Sequence, residues 1–578
     1  MKLLRLKIDE SFRSLQAGFE MHFLREWERS ESFDPAAPYV LAGPNGSGKS
    51  NVLEVLAAIF YHLECQYLEN RPELFDYDEE SNPLGFRAEQ AFPSGFELEY
   101  LIPVPPAWAE KGQDNTANIK VIKPNNSQSG ARFYWLNHPD HGDTQALPRG
   151  MAKDMLPEFV LGYSSGENEI LSLPFFKMRF IQFDEYLDCL KHETDYPGKP
   201  ESRLTFLDND FSQAILFCNL LFQDDVSLTP FRQDVGVESV QQFRIILKKS
   251  IEISAEETDQ YPPGFIRALE DIGESQYFLP ILDRFEASSK SADKFDPVIN
   301  RLQRCATSYF HDVETDTLYL DYWVNEATKE AFKMNFESPL DLFQCFQILL
   351  TLNLYPVSDA LKQDLYGSDS VYVQETVPTL PSDERVMRFK FVKLIKRDVS
   401  EAIMLKDLSD GEHQFLHSLG LCLLYKNSNS LFLLDEPETH FNPDWRSQLI
   451  SRLRECFAKA ESTDQRELLI TTHTPFLISD SRPEQVLIFK KEDGKVSVSR
   501  PDYNTLGASI NKITFKTFDK RETIGGYAQE ILEGLKKRFD AGEDRNQLLD
   551  EVDRQLGDSV EKVLLVKTIL DSLDEGAD

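Results

Sequence analysis

Positive charge is in deficit in this chain: 62 Lys and Arg stand against 97 Asp and Glu, a formal net charge of −35. Phosphate backbones are held by positive surface, so this balance excludes a protein whose whole exterior coats nucleic acid and leaves room only for a local basic groove. Cysteine is scarce as well. Cys65, Cys189, Cys218, Cys305, Cys345, Cys422 and Cys456 are odd in number, widely spaced and include no CxxC pair. That excludes a disulfide framework and a zinc ribbon and points to a reducing, cytoplasmic compartment. No apolar run reaches the roughly 18 residues of a membrane span. The opening Met1–Ile8 alternates charged and apolar residues, as a strand does and a signal peptide does not. With 41% hydrophobic and 28% charged residues the chain is not wholly disordered, and its 578 residues suit two to four domains.

What the sequence does contain is a phosphate loop. Tyr39-Val40-Leu41-Ala42 reads as a short strand, and Gly43-Pro44-Asn45-Gly46-Ser47-Gly48-Lys49-Ser50 follows it. Val52, Leu53, Val55, Leu56, Ile59 and Phe60 then recur at helical spacing. This is G-x-x-x-x-G-K-S in its setting of strand, glycine loop and helix. Asn45, Gly46, Ser47, Gly48, Lys49 and Ser50 are the expected nucleotide-binding residues. Glycines let backbone N–H groups close on phosphate oxygens, and the helix N-terminus adds partial positive charge. Lys49 can reach the β- and γ-phosphates of a nucleotide, and the Ser50 hydroxyl can ligate Mg²⁺.

Leu431-Phe432-Leu433-Leu434-Asp435-Glu436 is an apolar strand ending in two carboxylates. Asp435 suits Mg²⁺ through water, and Glu436 suits the general base that polarises the attacking water. Upstream, Leu408-Ser409-Asp410-Gly411-Glu412 opens an apolar helix. Ser409 and Gly411 there can face an anion, while Ser409 with Glu412 also fits an ordinary capping box. Downstream, Leu468 to Thr472 is a further strand, and His473-Thr474-Pro475 follows it.

The order of these four elements resembles the ATP-binding-cassette ATPases. The resemblance implies an α/β P-loop fold with ATP and Mg²⁺ as cofactors and a head-to-head dimer. In that dimer Ser409, Asp410, Gly411 and Glu412 of one subunit act in trans on the other subunit's nucleotide, and His473 is the switch histidine beside Glu436. Asp435-Glu436-Pro437-Glu438-Thr439-His440-Phe441-Asn442-Pro443, Thr472-His473-Thr474-Pro475-Phe476-Leu477-Ile478 and Phe12-Arg13-Ser14-Leu15 are similar to segments of the RecF-like, OLD-like and SMC-like branch. A cassette Q-loop glutamine would lie at a strand end in the first lobe. Gln182, in the strand-like run Lys177 to Phe183, is the candidate, contacting Mg²⁺.

More chain separates Ser50 from Leu408 than a compact head requires. It lacks long heptads, and its amphipathic stretches Phe211 to Phe222 and Leu340 to Leu352 suggest a mainly helical insertion. The expected organisation is 1–189 for the P-loop lobe, 190–384 for the insertion, 385–524 for the lobe with the signature, Walker B and switch elements, and 525–578 for acidic C-terminal helices suited to partner docking. Residues 109–150 read as a long loop or weak hairpin, and His138-Pro139-Asp140-His141 as a turn in it rather than a metal site. The Ser164-Ser165-Gly166-Glu167 loop echoes the signature and is a second candidate for phosphate or partner contact. No DxD follows His473, so the metal-carboxylate set of a Toprim nuclease is missing.

The layout as a whole resembles the PtuA-like ATPase subunits of Septu-type and retron-linked anti-phage systems. That likeness implies an ATPase that assembles as dimers or higher oligomers and restrains or releases a separate HNH nuclease. It also admits a retron reverse transcriptase and its msDNA as partners, with indirect contact to nucleic acid and none to membrane. Two other readings fit the same motifs: a RecF-like repair ATPase that itself binds DNA, and an assembly scaffold with little turnover.

Overall fold

The computed structural model describes residues 1–23, 37–109, 114–125, 128–165, 170–271, 274–285, 297–457, 465–518 and 524–574. At its centre lies a seven-stranded sheet. In spatial order its strands are Lys495–Ser499, Val486–Glu492, Tyr39–Ala42, Glu467–Thr472, Ser430–Asp435, Phe159–Ser164 and Leu204–Leu207. All neighbours are parallel except the hairpin of Val486–Glu492 with Lys495–Ser499. Parallel strands buried on both faces need apolar side chains in both directions, which explains runs such as Leu431 to Leu434. Alternate residues serve opposite cores. Tyr39, Leu41, Leu431, Leu433 and Leu469 pack in the core that holds the P-loop helix, and Val40, Ala42, Phe432, Leu434, Leu468 and Ile470 in the core that holds the insertion. This α/β P-loop architecture is the one the motifs predict.

On the P-loop side sits a five-stranded antiparallel sheet, ordered Glu20–His22, Lys2–Ile8, Phe96–Pro103, Thr116–Lys123 and Arg132–Trp135. The stretch read as a loop or weak hairpin thus supplies two well-paired strands, Ile119 opposite Trp135 and Val121 opposite Phe133, with all four side chains buried. His138 and His141 lie in the turn that follows, and no metal-binding group of His, Cys, Asp or Glu is found among the described residues.

Three expectations change. The first concerns Lys177 to Phe183, which is not a strand but the middle of the helix Leu173–Lys191. Its apolar residues serve several faces at once: Phe175, Met178 and Ile181 pack toward one core, Phe183, Tyr186 and Leu190 toward another, and Phe180 toward a third cluster. A helix buried this widely loses its one-sided stripe, and its Lys-Met-Arg-Phe segment imitates alternation. Pro174 at the first turn marks the true start.

The second is the insertion, which is mixed rather than mainly helical. Helices Asn209–Phe222, Val298–Cys305, Glu326–Asn335, Pro339–Thr351 and Asp359–Gly367 share it with a three-stranded sheet and most of a second five-stranded antiparallel sheet. That sheet runs Ser308–Asp312, Thr317–Trp323, Val237–Lys248, Met387–Lys396 and Ile403–Met404.

The third is where the lobes meet. Leu204–Leu207 belongs to the central sheet although it lies beyond 189, and Met387–Lys396 pairs with Val237–Lys248 although it lies beyond 384. Strand pairing across such distances in sequence leaves no mark in local periodicity. No single helix among the described residues is long and apolar enough to cross a membrane.

Candidate functional site

The first strand of the site, Tyr39–Ala42, is buried throughout and turns sharply at Gly43, which adopts φ 155°. A Cβ there would lie 2.4 Å from the Phe489 carbonyl oxygen, so only glycine fits between the loop and the neighbouring strand. Gly48, at φ 98°, starts the helix Lys49–Tyr67 without a side-chain cap, leaving its first N–H groups directed at the loop. The Phe12-Arg13-Ser14-Leu15 segment braces this end: Ser14 bonds Asn51 at 2.5 Å, and Arg13 bonds Glu54 at 2.8 Å. The Ser47 hydroxyl is buried and has no hydrogen-bond partner. A cradle of uncapped N–H groups with an orphaned hydroxyl fits a phosphate chain.

Lys49 is 4% exposed and folds back onto the loop, donating to the carbonyls of Gly43 at 3.0 Å and Pro44 at 3.1 Å. Burial lowers its pKa to about 8, against the opposing charges of Glu436 and Asp435. Its ammonium therefore lacks a close anion and stands to gain from one.

One strand, Glu467–Thr472, separates the P-loop strand from the strand that ends in Asp435. The helix dipole end and the carboxylate still meet. Ser50 Oγ donates to Asp435 Oδ1 at 2.7 Å, and Thr471 Oγ1 donates to the same oxygen at 2.5 Å. Burial raises the Asp435 pKa, and the Thr471 and Ser50 hydrogen bonds oppose the rise. A hydroxyl and a carboxylate in contact are hard oxygen donors of the kind Mg²⁺ takes, so the donor set fits that ion.

The next residue, Glu436, lies in left-handed backbone at φ 49°, rare for a glutamate and characteristic of strained functional positions. Its N–H donates to Thr471 Oγ1 at 3.0 Å, and its carboxylate pairs with Nε2 of His473. The other ring nitrogen of His473 lies 3.4 Å from Lys49 Nζ. Burial pushes the Glu436 pKa up, but the hydrogen bond from His473 and the nearby positive side chains outweigh it and hold the carboxyl below its usual range. Lys49, Ser50, Asp435, Glu436 and His473 thus form one connected cluster, as their motifs suggest.

Ser409 to Glu412 lie at the start of the helix Asp410–Leu424 in a capping box: Glu412 N–H donates to Ser409 Oγ at 3.3 Å, and Ser409 N–H to Glu412 Oε2 at 2.8 Å. Glu412 also pairs with Lys396. Gly411 is sterically required, because a Cβ would lie 2.8 Å from the His440 carbonyl oxygen. Within the single chain no contact joins this segment to the P-loop residues among the described interactions.

Gln182 does not join the cluster. It is 1% exposed inside the helix Leu173–Lys191, and both polar atoms of its amide lack partners. No described contact joins its amide to Ser50 or Asp435, and it stands in a helix rather than at the expected strand end. The strand end beside Asp435 is Ser164, and the Ser165 hydroxyl donates to Thr439 Oγ1 at 2.9 Å. The rest of that loop, Gly166 to Glu169, lies outside the described residues.

Glu438 is a functional-site neighbour that motif reading undervalues. It is buried, accepts a hydrogen bond from Thr472 on one oxygen, and has no partner on the other. Burial raises its pKa to about 7. A carboxyl whose folded pKa lies above its unfolded value holds its proton longer in the folded state. Its contribution to stability is therefore full below about pH 4.5 and lost as pH rises through 7. Glu438→Gln should flatten the fall in melting temperature between pH 5 and pH 7.5. An unchanged slope, followed by calorimetry across that range, would place the titration elsewhere, at Glu64 or Glu185, whose pKa values burial also raises.

Comparison with known proteins agrees with this site in part. Residues 334–479 match the family described as "AAA domain, putative AbiEii toxin, Type IV TA system". The chain is 22% identical over 187 residues to "Protein ea59" of Escherichia phage lambda, covering 32% of this chain and 33% of that protein. It is 21% identical over 179 residues to "Retron Vc95 probable ATPase" of Vibrio cholerae serotype O1 biovar El Tor, covering 28% and 34% respectively. The chain thus spans about a third of the length of these curated relatives. Two SMC head structures, one bound to the C-terminal domain of ScpA derived from Pyrococcus furiosus and one from Thermotoga maritima, align over 86% and 87% of this chain. The alignments cover 96% and 100% of those chains, at 11% and 10% identity and TM-scores of 0.31 and 0.30. The parallel strand order, with the phosphate loop leaving Tyr39–Ala42, is itself an α/β P-loop fold.

Proposed function

We propose that this chain binds and hydrolyses ATP as a cassette-type head, and that its nucleotide state governs a separate nuclease subunit in anti-phage defence. The observation that carries the first half is the 2.7 Å bond from Ser50 to Asp435, which joins the phosphate loop to a carboxylate strand whose next residue, Glu436, is held by His473. In this reading the backbone N–H groups of Asn45 to Lys49 and the Lys49 ammonium bind the phosphates. Ser50 and Asp435 would hold Mg²⁺, which would supply neutralisation of phosphate charge. Glu436, kept ionised by its neighbours, accepts the proton of the attacking water, and His473 positions its carboxylate. Ser409 and Gly411 serve the site of a second copy, with Gly411 keeping the signature loop close to His440.

The nuclease half rests on likeness and on the C-terminal helices. Leu548, Val552, Leu565 and Ile569 pack into a small core of their own, while Val560, Val563, Leu564 and Leu570 are exposed on the last helix, Val560–Asp574. That stripe is apolar surface an acidic tail does not need for solubility, and it suits a partner helix. Capture of the tagged full-length chain from its native cells tests the reading. It should bring down an HNH nuclease, and Leu564→Asp should release it. A chain that carries no nuclease and leaves phage plaque counts unchanged when its gene is deleted overturns the defence reading without touching the ATPase one.

A further inference from the structure

The second five-stranded antiparallel sheet has one face in the core and one in solvent, and the solvent face is unusual for so acidic a protein. The registers place Phe310 opposite Tyr319, Asp321 opposite Arg244, Arg244 opposite Lys390, and Trp323 and Lys393 on either side of Gln242. Leu318, Leu320, Tyr322, Phe243, Ile245 and Leu247 alternate with them and are buried, so the aromatic and basic residues share the outer face. Five of them, Phe310, Tyr319, Arg244, Phe391 and Lys390, form a continuous ladder. Phe310 stacks on Tyr319 at 6.2 Å, and the Arg244 guanidinium lies 5.6 Å from Tyr319 and 5.4 Å from Phe391. Lys390 Nζ lies 5.6 Å from the same Phe391 ring.

Phe391 is placed there at a cost. The ladder of hydrogen bonds slips between Lys390 and Lys393, and Phe391 takes φ 55° within the bulge. A bulge that re-aims a bulky ring to 47% exposure is a feature without structural benefit to the core. Phe310 and Trp323 are exposed to a similar degree, at 64% and 52%. Asp321 neutralises Arg244 through two hydrogen bonds, but Lys390 and Lys393 have no carboxylate partner among the described residues. Phe391 and Lys390 also border a cavity of about 750 Å³, whose far wall includes Asp410, His413 and Gln414 of the signature helix. Gln414 is 4% exposed, and its amide nitrogen has no partner.

We propose that this sheet face binds single-stranded nucleic acid, with bases stacked on Phe310, Phe391 and Trp323 and phosphates held by Lys390 and Lys393. Flat rings interleaved with cations on an antiparallel sheet match the two demands of an unpaired strand, a π-face for each base and positive charge along the backbone. A protein partner covering the face would have to desolvate unpaired lysines, which disfavours it. The cavity at the Phe391 end carries the strand toward the signature helix, so binding there bears on the nucleotide site. This proposal stands apart from the nuclease reading: it needs no partner subunit.

The test is anisotropy of labelled oligo-dU, oligo-U and a duplex of the same length, titrated with the full chain at several salt concentrations. Either single strand should bind more tightly than the duplex, with log affinity falling linearly against log salt, and the ratio of the two single strands identifies the preferred sugar. Phe391→Ala and Trp323→Ala should each weaken binding by about fivefold or more, since each removes a stacking surface. Lys390→Glu combined with Lys393→Glu should make the salt dependence shallower. Melting temperatures close to wild type show that these exposed changes leave the fold intact. Tighter binding of the duplex, no binding of either strand at low salt, or variants that bind like wild type would overturn the proposal. So would self-association that the same variants abolish in the absence of strand binding, because the face would then belong to a second copy.

Discussion

Glu436→Gln should bind ATP normally and stop turning it over. The substitution keeps the size of the side chain and removes the group that can take a proton from water. General-base contributions run to about 10²–10⁴-fold in rate, so phosphate release should fall by at least the lower figure. The backbone should tolerate the change, because φ 49° at this position is set by the turn after Asp435 and by the Glu436 N–H bond to Thr471, neither of which involves the carboxylate. With hydrolysis blocked, ATP should keep favouring the proposed closed dimer, and light scattering should show a stable dimer in ATP that dissociates in ADP. Hydrolysis at the wild-type rate would remove Glu436 as the base. His473→Ala provides the second arm: with its carboxylate no longer held, Glu436 should lose positioning, so turnover should drop while ATP affinity stays near wild type.

The parts of this site that were legible in sequence are those in which one short string does the chemistry. Gly43 to Ser50 must be contiguous because, in the proposed function, a single turn of backbone wraps the phosphates, and Leu431 to Glu436 must be contiguous because one strand end carries both carboxylates. Their meeting across an intervening strand is visible only in three dimensions, in the bond from Ser50 to Asp435. The segment around Gln182 departs from its expected strand for a physical reason. Its helix is buried on several sides, so the amphipathic signal that separates helix from strand is erased, and a glutamine near apolar alternation looked like a strand end. In sequence Glu438 stands out only as part of a family-like segment, whereas the Thr472 bond and burial make it a titrating element of the core. The second antiparallel sheet was invisible because Val237–Lys248 pairs with partners far along the chain on both sides, and the Phe391 bulge leaves no periodic trace.

A mixing experiment should give the largest signal on the proposed dimer. Lys49→Ala removes the phosphate-binding ammonium, and Gly411→Arg places a bulky side chain where a Cβ alone would lie 2.8 Å from the His440 carbonyl oxygen. Each variant alone should be inactive, the first for want of bound ATP and the second for want of a signature surface. In a symmetric head-to-head pair every site takes its P-loop from one copy and its signature from the other. A mixed dimer therefore contains one site with both defects and one with neither. Random exchange makes half the dimers mixed, so turnover should recover to about a quarter of wild type, the logic of a two-fold interface with independent sites. Recovery must depend on the ratio of the two variants and peak at equal amounts. If the segment Ser409 to Glu412 served only as the capping box seen within one chain, Lys49→Ala and Gly411→Arg would never complement, since no protomer in the mixture would be whole. The two roles of the segment, local cap and distant ligand, thus separate in one titration. The cap accounts for the fold of the helix, and complementation would show what the exposed serine and the half-buried glycine at its tip are for.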